Sequence, residues 1–188
     1  MYLNCHSFYS LRYGTFSEIE LLELAKQNHI SSLVLTDINN TSACLNFIRQ
    51  SKKYNIKPII GIDFRNGAKQ KFIGIARNNE GFYELNTFLS YHLENKIKLP
   101  DIAPKFSNVF IIYPFETVLE LEITAFEAYE FIGVSVDEIR KLRFSKLKTF
   151  QDKIVIQQTV TVRNKRDFNA HRLLRAIDNN CLLSKLQK

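Results

Sequence analysis

Few side chains in this 188-residue sequence can do chemistry: it holds four histidines and three cysteines. His6, Asp37 and Asp63 are the best placed to act together. Each falls at, or just beyond, the C-terminal end of a run that reads as a strand, where active sites of α/β barrels form. One imidazole and two carboxylates could hold a single zinc ion with an open position, and its bound water would attack a phosphodiester. Local roles compete with that reading. His6-Ser7 can cap a turn, Asp37 can make an Asx-turn before Asn39-Asn40, and Asp63 can stand at a hairpin. His29 and His92 fall near helix ends, where the helix dipole suits them. His171 lies inside a basic helix as a packing or surface residue.

Other chemistries lack their signatures. Neither a glycine-rich phosphate loop nor a Gly-x-Ser-x-Gly nucleophile elbow is present. Cys5 adjoins His6, but neighbours in a strand point to opposite faces, so Cys5 reads as a small buried apolar residue. Cys5, Cys44 and Cys181 are odd in number and far apart, with no Cys-x-x-Cys pair. A disulfide framework and a cysteine zinc site are therefore not expected, and a reducing cytoplasm is the simplest compartment. No apolar run is long enough to span a membrane, and the N-terminus lacks the pattern of a secretory signal.

The elements that would position these residues alternate in type. Strands are expected at Leu3–Cys5, Ser32–Thr36, Pro58–Phe64, Lys71–Ala76, Val109–Tyr113, Phe131–Val134 and Ile154–Val160. Asn66-Gly67 is a hairpin turn signal that would bring Lys71–Ala76 back against Pro58–Phe64. Ser17 and Glu20 have the spacing of a capping box, followed by the apolar stripe Ile19, Leu21, Leu22, Leu24 and Ala25. Further helices are expected over Thr41–Tyr54, from Asn79 to about His92, over Val136–Leu142, and from an Asp167 N-cap through Ile177. Pro100 and Pro104 mark a loop. Seven strands with helices between most of them predict one α/β domain, its largely parallel sheet closed into a barrel or left open and doubly wound.

Charge is unevenly spread. The net charge of +7 hides a surplus of three acidic residues over 1–139, against 13 basic and 3 acidic residues over 140–188. Arg163, Lys165, Arg166, Arg172 and Arg175 form one candidate contact surface, for nucleic acid phosphates or for an acidic neighbouring domain.

Leu3-Asn4-Cys5-His6-Ser7-Phe8-Tyr9-Ser10 followed by Gly14 resembles the opening motif of the polymerase-and-histidinol-phosphatase (PHP) domain. More closely, it is similar to the PHP domain at the N-terminus of bacterial DNA polymerase III alpha subunits. Leu35-Thr36-Asp37-Ile38-Asn39-Asn40 and Ile56–Phe64 resemble the second and third motifs, and Asp167-Phe168-Asn169-Ala170-His171 resembles the helix near the domain's end. Residues 93–152 match weakly and are shorter than the family pattern. The resemblance implies a distorted (β/α)7 barrel, shortened or incomplete in its middle. It also implies a metal cluster in active members, and here this sequence departs from the family. Asn4 replaces a histidine, Ile38 replaces a histidine, Asp63 replaces a glutamate, and Thr159 and Thr161 replace the final aspartate and histidine; His6 and Asp37 remain.

Ile38 has no donor atom, and two threonines are weak neutral ligands for a multiply charged centre. The expectation is therefore a vestigial cleft with no metal and no catalytic residue, in a module kept for structure and interaction. The alternatives are a residual phosphoesterase or 3′–5′ exonuclease using zinc or manganese, and a nucleic-acid-binding module acting through 140–188. Polymerisation itself, with its magnesium and palm carboxylates, would lie outside 188 residues, so an excised domain or a short product is expected. The resemblance implies as partners the rest of an alpha chain, a proofreading exonuclease and template-primer DNA, and no membrane.

Overall fold

The computed structural model describes residues 1–186; Gln187 and Lys188, the end of the expected C-terminal boundary, lie outside the described residues. Its strands are β1 (Tyr2–Cys5), β2 (Ser32–Leu35), β3 (Lys57–Asn66), β4 (Lys69–Ala76), β5 (Val109–Pro114), β6 (Glu130–Val134), β7 (Ile154–Ile156) and β8 (Thr159–Val160). They form one curled sheet in the order β7-β6-β5-β4-β3-β2-β1-β8. β4 runs antiparallel to both β3 and β5, and every other pairing is parallel.

All seven expected strands are present, and the last is split. β7 pairs with β6 and β8 pairs with β1, so the two end strands of the sheet are halves of one run, separated by Gln157-Gln158. This seam brings the first and last thirds of the chain together. Gln157 at the seam stays tied to the β7 side: its backbone N–H donates to Val134 O on β6 (2.9 Å), and its side-chain amide donates to Gln70 Oε1 on β4 (3.0 Å).

The helices are α1 (Glu18–Gln27), α2 (Cys44–Tyr54), α3 (Asn79–Glu94), α4 (Phe115–Glu120), α5 (Ile139–Phe144) and α6 (Lys165–Asp178). Outward side chains of β1 and β2 pack with α1 and α2 around Leu22, Leu33, Leu35 and Phe47. Phe64, Phe72, Leu85, Ile111 and Val134 belong to a second cluster that binds α3 and α4 to β3–β6. A third cluster, Val34, Ile73, Ile75 and Ile112, faces inward.

The Ser17–Glu20 capping box is formed as expected, with Glu20 N–H donating to Ser17 Oγ (3.1 Å) and Ser17 N–H donating to Glu20 Oε2 (2.8 Å). The expected cap of α6 is corrected. Asn164, not Asp167, is the N-cap, accepting from Asp167 N–H at 3.0 Å. Both residue types cap well; here the chain turns helical one residue after Asn164, which leaves Asp167 in the first turn. α2 starts at Cys44, three residues later than expected, because Thr41 and Ser42 are spent on a turn held by Asn40. α4 is not among the helices expected from the sequence; it has only six residues and no side-chain cap.

Candidate metal centre at the barrel mouth

His6, Asp37 and Asp63 stand at the C-terminal ends of β1, β2 and within β3, and all three are essentially buried. His6 Nε2 lies 3.0 Å from Asp63 Oδ2. A carboxylate only accepts, so Nε2 carries the hydrogen, and in the neutral ring Nδ1 accepts from the Thr161 hydroxyl 3.1 Å away. Asp37 stands apart from this pair. Its Oδ1 accepts from Ser7 N–H and Ser10 Oγ–H, and its Oδ2 from Ser7 Oγ–H, all at 2.7 Å. It therefore orders the loop after β1 and makes no Asx-turn. Asp63 lies inside a strand and not at its hairpin.

The structure adds a residue that the sequence reading had not singled out. Arg65 donates from Nε (3.0 Å) and Nη2 (2.7 Å) to Asp63 Oδ2, with its side chain 9% exposed. It lies two residues beyond Asp63 on β3, so the two side chains share a face by strand alternation. That spacing was the available signal. Burial alone would raise the Asp63 carboxyl, but the His6 hydrogen bond and the Arg65 charge hold it below the usual carboxylate range. Asp63 Oδ1 is buried without a hydrogen-bond partner.

Tyr13 closes this cluster from the loop between β1 and α1. Its ring is within 4.8 Å of the Arg65 guanidinium carbon and 5.4 Å of that of Arg175. His6 and His171 meet it edge-on at centroid distances of 5.3 and 4.6 Å. The loop is tight: a Cβ on Gly14 would stand 1.8 Å from Ser7 O, a close approach that glycine allows. His171 Nδ1 donates to Tyr13 O (2.7 Å) and ties α6 across the mouth. Burial and the nearby Arg175 charge lower the His171 pKa.

The other expected ligand positions bond to protein. Asn4 Nδ2 donates to Thr159 Oγ1 (3.0 Å), and Thr36 Oγ1 donates to Asn4 Oδ1 (2.9 Å). Ile38 lines the mouth beside Tyr13 and Arg65. Among the described residues, no three His, Cys, Asp or Glu side chains sit so as to hold a metal ion.

The expected basic surface divides. Arg163 is bound to Glu20 (2.5 Å) and Asp167 (2.6 Å), and Arg175 to Asp178 (2.6 Å). Lys165 and Arg166 are exposed and Arg172 is half-buried; none has an ion-pair partner among the described residues. Cys5 is fully buried, and desolvation pushes its thiol pKa up.

The sequence profile of the PHP domain family matches residues 3–165. The chain belongs to the PHP domain family. This PHP domain is 25% identical over 97% of its length to a DNA polymerase III subunit alpha from Ureaplasma parvum, of which it covers 18%. It is 36% identical over 39% of its length to the DNA polymerase III subunit alpha of Borreliella burgdorferi, of which it covers 6%. It thus spans less than a fifth of these relatives. An amidohydrolase from Chromobacterium violaceum shares the fold, with a TM-score of 0.53, 11% identity, and coverage of 85% of this chain and 87% of that one. No helix among the described residues is long and apolar enough to cross a membrane.

Proposed function

We propose that residues 1–188 are a single PHP domain serving as an architectural and interaction module of a larger, cytoplasmic DNA polymerase III alpha chain, with no hydrolytic chemistry of its own. One observation supports the loss of hydrolysis: the retained ligand side chains are engaged by protein groups. Both oxygens of Asp37 accept hydrogen bonds, both nitrogens of His6 are bonded, and Arg65 already places a positive charge against Asp63. A metal cluster would have to displace a guanidinium that burial and ion pairing hold in place, with Ile38 offering no ligand. The donor set does not fit the cluster. Polymerisation would then rest on magnesium and carboxylates elsewhere in the longer chain. That chain is the first partner of this domain; a proofreading exonuclease and template-primer DNA are further ones.

Only Asp63 Oδ1, buried and unpartnered, favours a second reading, in which one zinc or manganese ion supports residual phosphoesterase or exonuclease activity. An assay on bis(p-nitrophenyl) phosphate and on a 3′-labelled oligonucleotide, with zinc or manganese, separates the two. The module reading expects no hydrolysis above a His6→Ala control, and loss of stability only in that variant. Metal-dependent cleavage that His6→Ala abolishes would establish the second reading instead.

A further inference from the structure

The barrel has a second opening, at the N-terminal ends of its parallel strands, opposite the mouth that holds His6 and Asp63. A cavity of about 540 Å³ lies there, within the size range of small-molecule sites. The inward face of the sheet supplies most of its wall, with Leu3, Val34, Ile59, Ile112, Phe131 and Val155 from six different strands, and Ile48 of α2 and Phe82 of α3 extend it at one side. Four of these, Leu3, Ile59, Phe131 and Val155, are only half-buried although they point into the barrel. The rim has the opposite character. Lys57 and Arg77 stand there exposed, the cavity lining includes no carboxylate, and neither cation has an ion-pair partner among the described residues. The Arg77 guanidinium carbon lies 5.3 Å from the Phe110 ring centroid, so that charge is held at the rim.

We propose that this lower lumen binds a small amphiphilic carboxylate, its apolar chain inside the barrel and its head group between Lys57 and Arg77. Charge complementarity selects an anionic head, because the rim offers two unpaired cations and no negative side chain. The wall selects an apolar chain over a peptide segment. A peptide entering the lumen would carry backbone amides past aliphatic and aromatic side chains that cannot pair with them. The site is independent of the upper cluster and of the module reading.

Decanoate, below its micellar concentration, is a suitable probe, titrated into the whole 188-residue protein by calorimetry and followed by thermal unfolding. The expected result is saturable binding of one decanoate per chain with a raised melting temperature. Lys57→Glu with Arg77→Glu, both at exposed positions, should weaken it by about tenfold or more while the far-ultraviolet circular dichroism stays unchanged. Decanol should bind more weakly than decanoate, and decylammonium should not bind. The proposal is overturned by absence of saturable decanoate binding, by equal affinity for decylammonium or decanol, or by unchanged affinity in the folded double variant.

Discussion

Arg65 is held by Asp63 and by the face of Tyr13, and its removal would leave a buried carboxylate with one imidazole for company. Breaking a buried ion pair from one side costs about 3–5 kcal/mol, so Arg65→Met should destabilise the fold by that order in urea denaturation. Adding Asp63→Asn should recover part of the loss, because the orphaned charge disappears with it. Asp63 also sets an acid limit. Its folded-state pKa lies below the unfolded value of about 3.9, so its contribution is full above that pH and is lost as pH falls through the folded pKa. Stability measured against pH should therefore fall less steeply below pH ~4 in Asp63→Asn than in the parent. His6, Asp37 and Asp63 were legible as candidates because their types and strand-end positions are written in the sequence. Their partners were not. Asp37 spends its oxygens on Ser7 and Ser10, a pairing set by how the loop folds over β2.

α6 docks through its N-terminal turn and through His171. Asn164→Ala removes the side chain that caps the helix and should cost about 1 kcal/mol in a denaturation midpoint. His171 is held partly buried against Tyr13; burial and the nearby Arg175 on its own helix, His6 on the β1–α1 loop and Arg65 on β3 disfavour the protonated ring, and together they outweigh the hydrogen bond to Tyr13 O, which favours it. A lowered folded pKa makes the neutral ring the stabilising form. That contribution is complete above the unfolded value of about 6.5 and is lost as pH falls through the folded pKa. Between pH 7 and 5 the parent should therefore lose stability that His171→Gln keeps. Most elements could be read from hydropathy period and cap residues, as the Ser17–Glu20 box shows. The α6 start could not, since Asn164 and Asp167 compete as caps and only the packed helix chooses. Six-residue α4 has too little pattern to read.

At the scale of the whole molecule, the alternation of strands and helices pointed to the curled α/β sheet. The seam at Gln157-Gln158 could not be foreseen, because β7 and β8 find different partners only when the sheet curls. The basic surplus was legible as a count, but its use was not. Arg163 and Arg175 are engaged in ion pairs with Glu20, Asp167 and Asp178, which leaves Lys165, Arg166 and Arg172 as the candidate contact for phosphates. If that surface carries DNA, affinity should fall steeply with salt, and Lys165→Glu with Arg166→Glu should weaken binding and flatten the salt dependence. An unchanged affinity and slope would remove it as a DNA contact.

If Arg65 and the hydrogen-bonded network around it take the place of a metal cluster at the mouth, the protein should hold no tightly bound ion. The most direct test is elemental mass spectrometry of the purified protein after loading with zinc, manganese or iron and desalting. The predicted result is metal well below one ion per chain, in the parent and in His6→Ala alike. One or more tightly held ions per chain, lost in His6→Ala, would contradict the account and make His6 and Asp63 ligands of a working centre.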